Sequence, residues 1–404
     1  MYTITGKYNE AVVFSDYETM ESSAYSQIMM LCNQEFIQGA KIRIMPDVHA
    51  GAGCTIGTTM TITDKVVPNL VGVDIGCGME ISCLDNKRIN LPELDKAIKE
   101  NIPCGFEIRK NEHKFNDMIN LDELKCKRQV NIDRARKSVG TLGGGNHFIE
   151  AGKDDGGNLY FIIHSGSRHI GLEVADYYQE EAYKRLNKCS KKDIDKIIKD
   201  LKKQGRAGEI QKTLEEAKQT REASVPKVLA YAEDDLFDDY IHDMKIIQKF
   251  ADINRKAMTA EIVKKMKFDV IEQFTTVHNY IETNAEPMIL RKGAVSAKDG
   301  EKLLIPMNMR DGSLICLGKG NPDWNFSAPH GAGRIMSRSE AKHNLILNEF
   351  KKSMDGIYTT TLSKDTIDEA PMAYKPMEEI VKHIGETVEI IKTVKPIYNF
   401  KAME

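Results

Sequence analysis

Val71-Gly-Val-Asp-Ile-Gly-Cys-Gly-Met79, running into Glu80-Ile-Ser-Cys-Leu84, decides how the first third of the chain is read. Glycine recurs between the apolar residues, and Met79–Leu84 alternates like a half-buried strand. Asp74 and Cys77 therefore share one tight turn that can aim a carboxylate and a thiol at a common point. A thiolate can bridge two divalent cations there, with imidazoles completing the shells; oxygen and nitrogen donors suit Mn²⁺, and sulfur also invites Zn²⁺. A buried cysteine on a structural turn fits the same spacing equally well.

Outward from this turn, Lys41–Met45 reads as a strand entering Pro46-Asp-Val-His49, then a small-residue loop over 50–57. Thr58–Thr63 and Val71–Val73 read as short strands, Leu91–Asn101 as an amphipathic helix, and Leu159–Ile163 as a strand ending at His164. From Val174 to Lys267 charge dominates, and Ile194, Ile197, Ile198 and Leu201, then Ile246, Ile247, Phe250 and Ile253, recur at helical spacing. This predicts a helical insertion over 174–267, broken near Gly205–Gly208 and before Pro226. The Lys188–Lys203 stretch interleaves acids with its lysines and reads as a solvated helix face more readily than an RNA contact. Strand-and-loop character returns over Phe274–Ala332, and Pro376–Thr393 predicts a closing helix. With no linker and no repeat, residues 1–404 are expected to form one α+β unit.

Composition narrows the class. Apolar residues at 41% and charged residues at 29% exclude global disorder. The longest apolar runs fall far short of the ~20 residues of a membrane helix, and no leader is visible. The expectation is a soluble, cytoplasmic protein. A net charge of −3 excludes nucleic-acid binding by bulk positive charge but allows a local basic groove. Eight cysteines contain no C-x-x-C pair, so they form neither a disulfide framework nor a zinc finger. A G-x-x-x-x-G-K-[ST] loop and an H-E-x-x-H helix are both missing.

The chemistry concentrates at histidines beside glycine or at strand ends: His49, His147 in Gly143–Glu150, His164 in His164-Ser-Gly-Ser-Arg168, His278, and His330 in His330-Gly-Ala-Gly-Arg334. One such histidine is ordinarily structural; several with the same punctuation point to a metal or phosphate site. Lys298-Asp-Gly300 is one residue short of the K-x-D-G lysine of classical nucleotidyl-transferring ligases. A nucleotide handled here therefore needs another nucleophile, and His330, with Arg334 to neutralise phosphate, is the candidate.

Taken in order, Pro46–His49, Val71–Met79, Gly140–Glu150, His164–Arg168, His278-Asn279, Arg291–Ser296, His330–Arg334 and Pro371–Lys375 resemble the RtcB family of RNA ligases, from about Met45 to Lys401. The resemblance implies a fold with central β-sheets around a metal pocket and flanking helices. It also implies an enzyme that uses two Mn²⁺ and GTP to join RNA ends bearing a 2′,3′-cyclic phosphate or 3′-phosphate to 5′-hydroxyl ends, in tRNA splicing or RNA repair. His330 matches the histidine that becomes guanylylated, with Arg168 and Arg334 at arginines facing phosphate or RNA ends. Asp74, Cys77, His147, His164 and His278 match metal ligands, Cys77 being the bridge. Asn146, Glu150, Asn279, Asn308, Ser313, Gly331, Ala332, Tyr374 and Lys401 match the nucleotide-holding positions. RNA ends are the implied partners, with an archease-like activator as a further one; a monomer is the default.

Two departures mark a divergent branch. Pro306-Met-Asn-Met-Arg-Asp-Gly-Ser313 replaces a Gly-Ser-Met-Gly segment, placing Asn308 where a nucleotide-contacting serine is usual, and Ala328-Pro329 precedes His330 where Cys-Ser is common. The alternative activity is a metal-dependent phosphoesterase that opens cyclic phosphate ends without sealing, since that needs the metals but not His330. The basic run Lys125, Lys127, Arg128, Arg134, Arg136 and Lys137 reads equally as a substrate groove or a surface helix.

Overall fold

A computed structural model describes residues 1–86, 88–187, 191–215 and 225–402. Its architecture is α+β. Strands β1 (Tyr2–Thr5), β2 (Glu10–Val13), β3 (Ile42–His49), β4 (Ile56–Ile62), β9 (Asn279–Glu282) and β10 (Met288–Lys292) form one sheet in the order β1-β2-β3-β4-β10-β9. A seven-stranded sheet runs β12-β13-β15-β6-β7-β5-β8. It comprises β5 (Gly78–Leu84), β6 (Phe148–Lys153), β7 (Leu159–Ser165), β8 (Val270–Val277), β12 (Lys302–Asn308), β13 (Gly312–Gly318) and β15 (Val388–Lys401). The short pair β11 (Ala294–Ser296) and β14 (Ser327–Pro329) forms a separate two-stranded sheet. Among these strands of the described residues, only β2 and β3 pair in parallel.

Leu91–Asn101 is a helix with the expected bounds, capped where Asn90 accepts from the Glu93 amide at 3.3 Å and with Pro92 in its first turn. The expected strand at Val71–Val73 is instead a helical turn, Pro68–Val71, ended by Gly72 at φ 104°. Within 174–267, the helices Arg168–Asn187, Lys191–Lys203 and Asp234–Met266 are present; Lys188–Ser190 and residues 216–224, before Pro226, lie outside the described residues.

Asp234–Met266 is deeply packed and contributes Leu236, Met244, Ile247 and Phe250 to the largest apolar core. It also carries buried polar residues aimed at the sheet ends. Asn254 accepts from the Gly140 and Thr141 amides at 2.8 and 3.0 Å and donates to Ser165 Oγ and the Gly166 carbonyl. Arg255 donates to the Gly76 and Ser165 carbonyls at 2.8 and 2.9 Å. One helix thus clamps the three loops that follow or precede the candidate ligands. No described helix is long and apolar enough to cross a membrane.

The closing helix over Pro376–Thr393 is corrected. A helix covers only Met377–Ile384, and the chain then becomes β15, paired with β13 on one side and β6 on the other. Ile390, Ile391 and Val394 recur at helical spacing, but the β-branched content suits a strand, and two neighbouring strands supply the backbone partners that decide it. Tyr398 in β15 is fully buried and donates to Asp95 at 3.1 Å, fastening the strand to the helix Leu91–Asn101. Tyr398→Ala is expected to cost about 3–5 kcal/mol in denaturant unfolding, and Tyr398→Phe, which removes only the hydroxyl, about 1 kcal/mol.

Candidate metal centre and nucleotide cavity

Strand register brings the candidate ligands together. His147 immediately precedes β6, His164 lies at the end of β7, Cys77 immediately precedes β5, and His278 immediately follows β8. These four strands are consecutive neighbours. Phe148 is opposite His164, Met79 opposite His164 on the other side, and Gly78 opposite Val277. Antiparallel pairing therefore places all four residues at one end of the sheet. The His278 amide donates to the Cys77 carbonyl at 2.9 Å.

The side chains converge accordingly. One donor atom each from Cys77, His147 and His164 lies within 4.8 Å of the others, all buried. Cys77 Sγ is 3.5 Å from His147 Nε2 and 3.3 Å from His164 Nε2, and His164 Nε2 is 3.5 Å from His278 Nε2. Asp74 Oδ2 is 3.0 Å from His147 Nε2, while its Oδ1 accepts from the Ser167 amide and hydroxyl at 2.7 and 2.9 Å. Cys77, His147 and His164 thus meet at one point, with Asp74 beside His147 and His278 beside His164.

Their protonation fits a cation. His147 Nδ1 lies 2.9 Å from the Leu142 carbonyl and His164 Nδ1 3.2 Å from the Asn146 carbonyl. A carbonyl only accepts, so each Nδ1 carries a proton; His164 Nε2 then turns a lone pair inward, whereas His147 Nε2 faces the Asp74 carboxylate. Burial, then neighbouring imidazoles, push His164 and His278 well below the ordinary histidine value, which keeps them neutral. Burial and Asp74 hold the Cys77 thiol well above its usual value. Burial opposes ionisation of Asp74, but the hydrogen bond to His147 and the Arg168 charge prevail and hold it below the usual carboxylate range. A carboxylate, a thiol and converging imidazole nitrogens are the donor types that hold a divalent cation.

His330 stands beside this cluster, its ring centroid 4.8 Å from that of His278. Asp47, fully buried at the end of β3, accepts from His330 Nδ1 at 2.7 Å and from the amides of His330 and Gly331 at 3.1 and 3.2 Å. That leaves Nε2 as the free nitrogen. Next to it opens a cavity of about 1030 Å³, at the upper end of the roughly 300–1,000 Å³ usual for ligand pockets.

Of the predicted nucleotide-holding residues, Asn146, Glu150, Asn308, Ser313, Gly331, Ala332, Tyr374 and Lys401 line this cavity. Asn279 does not: it donates to the Asp74 carbonyl at 3.1 Å and accepts from the Gly293 amide at 2.9 Å, bracing the metal loop. Asn308 closes a turn on itself, accepting from the Arg310 and Asp311 amides and donating to the Asp311 carboxylate at 2.7 Å. Arg334 is committed to the Asp368 carbonyl at 2.6 Å and Glu369 at 3.4 Å, whereas Arg168 reaches from Thr141 toward His147 and Gly105. A Cβ on Gly143 would meet the Arg168 guanidinium at 1.8 Å, so that glycine is what admits the arginine.

Residues 27–125 and 112–402 match the family model described as tRNA-splicing ligase RtcB. The chain is 31% identical to the RNA-splicing ligase RtcB of Escherichia coli K12, across 94% of either chain. It is 24% identical to the tRNA-splicing ligase RtcB of Aeropyrum pernix, covering 96% of this chain and 94% of that one. The chain belongs to the RtcB family.

Three site residues of this RtcB chain escaped sequence reasoning. Asp47 lay in the quoted Pro46–His49 motif without a role. Glu369, buried in the cavity wall, accepts from Tyr374 at 2.6 Å and pairs with Lys401 at 2.7 Å and Arg338 at 2.9 Å. Burial works against its ionisation, yet Lys401, Arg338 and Arg334 hold it at about 2. Asn399 donates to Glu150 at 3.0 Å; its two-residue spacing to Lys401 is a strand signal, hidden by the helical reading of the tail.

Co²⁺ added to metal-stripped protein is expected to raise Tm and produce a thiolate-to-cobalt absorption band. Cys77→Ser should abolish the band, and Ser167→Ala, which releases Asp74, should weaken cation binding by roughly tenfold. A band that persists in Cys77→Ser would place the cation elsewhere.

Proposed function

We propose that this protein is a GTP- and Mn²⁺-dependent RNA ligase that joins 2′,3′-cyclic-phosphate or 3′-phosphate ends to 5′-hydroxyl ends through guanylylated His330. The observation that carries the reading is the position of His330, fixed by Asp47 between a five-residue cation donor set and a nucleotide-sized cavity. The relatives' names, RNA-splicing ligase and tRNA-splicing ligase, support RNA as the substrate. Two Mn²⁺ among Asp74, Cys77, His147, His164 and His278 would, when bound, draw charge off the non-bridging phosphate oxygens.

His330 keeps its Nδ1 proton on Asp47, so Nε2 is the attacking lone pair. A P–N bond forms to the α-phosphorus of GTP, the α–β bridging P–O bond breaks, and pyrophosphate leaves. A cyclic end is first hydrolysed to the 3′-phosphate. An oxygen of that phosphate then attacks the guanylyl phosphorus, breaking the P–N bond and giving the RNA-3′-pp-G end. The 5′-hydroxyl attacks the RNA phosphorus, loses its proton, and GMP departs. Residues 1–404 act here as one catalytic unit that includes the 174–267 helices. Its setting is cytoplasmic and its state monomeric, with an archease-like protein as candidate activator.

Guanine specificity follows from unpaired acceptors. Glu150 Oε1 and Asn399 Oδ1 are buried without hydrogen-bond partners, and Glu150 lines the cavity. Guanine offers donors at N1 and its exocyclic amine, whereas adenine has none at N1. An unpaired buried acceptor is costly, so the complementary base gains selectivity by filling it. Tyr374, in the same wall, offers a ring face to the base.

With α-labelled GTP and Mn²⁺, acid-labile and alkali-stable label should appear on the protein and vanish in His330→Ala. Cyclic ends opened by metal-replete protein that takes no label would favour the phosphoesterase. ATP should label poorly beside GTP, and Glu150→Gln should erase that preference. Burial pushes the Glu150 carboxyl up to about 8, against Asn399 and Lys401, so it is protonated below that pH and a better acceptor above it. The Kd for GTP should therefore fall between pH 6.5 and 9.5 (about pKa ± 1.5) and become flat in Glu150→Gln, as titration calorimetry would record.

A further inference from the structure

One exposed aromatic lies next to the metal-bearing loop and is used by nothing described above. Phe106 is 83% exposed, the most exposed aromatic of the chain's described residues. Its backbone is nonetheless tightly held. The Glu107 amide closes a turn on the Cys104 carbonyl at 3.1 Å, the Gly105 amide donates to Gly143 at 2.9 Å, and the Leu142 amide donates to Pro103 at 2.9 Å. The turn is thus fastened to the Gly143–Gly145 loop that presents His147. The Arg168 guanidinium spans the remaining gap, one nitrogen 3.4 Å from the Gly105 carbonyl and another 3.5 Å from His147 Nδ1.

A second guanidinium completes the feature. Arg134 reaches the Phe106 carbonyl at 3.5 Å, and its Nε is buried with no hydrogen-bond partner. It forms no ion pair among the described residues, whereas Arg136, two positions on, is paired with Asp122 at 2.7 Å. An unpaired guanidinium with an unpartnered N–H, beside a bare ring held on a rigid turn, fits an anion next to a flat apolar face. A nucleotide in a single strand offers both.

We propose that Phe106 and Arg134 form a docking subsite for single-stranded RNA, with Phe106 stacking on the base and Arg134 meeting the phosphodiester of the nucleotide adjoining the reacting end. The proposal rests on the RNA-ligase reading and adds to it where the strand lies. It also divides the basic run of the sequence, since Arg134 faces this subsite and Arg136 does not.

The test uses the full chain and a fluorescein-labelled, unstructured RNA decamer with 5′-hydroxyl and 3′-phosphate ends, read by anisotropy. Phe106→Ala is expected to weaken binding by about tenfold, the range of a lost base stack, and Phe106→Trp to bind like the parent. The single native tryptophan, Trp324, is buried, so quenching of the F106W emission by RNA reports the stack directly. An abasic site at the adjoining position should cost the parent the same tenfold and cost Phe106→Ala nothing more. Arg134→Gln should lower the slope of log Kd against log salt by roughly 0.7, one single-strand phosphate. A parent chain that binds the decamer while Phe106→Ala binds it equally well, with F106W emission unmoved, overturns the subsite alone. A parent chain with no affinity for the decamer overturns the RNA reading and the subsite together.

Discussion

The register of β6, β7, β5 and β8 is the constraint on which the rest depends. Cys77 and His278 are far apart in sequence, yet Gly78 opposite Val277 makes them spatial neighbours. Side chains alternate with period two, so a slip of one residue in β7 would turn His164 to the opposite face and break the donor set. Long-range antiparallel pairing with both faces covered fixes that register. Met79, Ile81, Tyr160 and Ile162 pack one face, while Ile149, Phe161 and Ile163 pack the other.

The sheet ends would still be loose loops without the helix Asp234–Met266. Its Asn254 and Arg255 satisfy backbone groups from Gly76, Gly140, Thr141, Ser165 and Gly166. Burying an arginine is costly, and Arg255 Nε and Nη2 have no hydrogen-bond partner. The return is a fixed positive charge beneath Cys77 and near Glu80, whose carboxyl burial raises to about 7 against that same charge. A cation entering above must displace the Cys77 proton, which couples occupancy to pH, and Arg255 favours the thiolate that results.

How much could be read in advance depended on whether the signal was local. The Asp74–Cys77 turn, the strand read over Met79–Leu84 and the helix at Leu91–Asn101 are written in adjacent residues, and the ordered glycine–histidine motifs carried the family. Partners that arrive from elsewhere left no such mark. Asp47 becomes an acceptor for His330 only because β3 and β14 meet in space, and Glu369 gains meaning only beside Lys401. The tail shows the failure most clearly. Its helical spacing was outweighed by two strands that needed a partner between them, and with β15 went the placement of Asn399 opposite Glu150.

The same long-range pairing holds the candidate metal ligands and His330, which come from different sheets, side by side. The Ala294 amide donates to the His278 carbonyl at 3.2 Å, and Ala294 pairs with Pro329, the residue before His330. Two backbone contacts therefore link a candidate ligand to His330. Gly293 makes the approach feasible, since a Cβ there would stand 2.1 Å from Ile56 and 3.1 Å from the His330 ring. On the far side Lys375, fully buried, donates to the Pro46 carbonyl at 2.9 Å and steadies the strand that carries Asp47. His330 is thus held from its own backbone, from its Nδ1 and from the strand pair behind it, leaving one nitrogen free. For the in-line attack at phosphorus proposed above, where a displacement of about 1 Å can cost roughly a hundredfold in rate, that threefold restraint matters more than any single contact in the cavity.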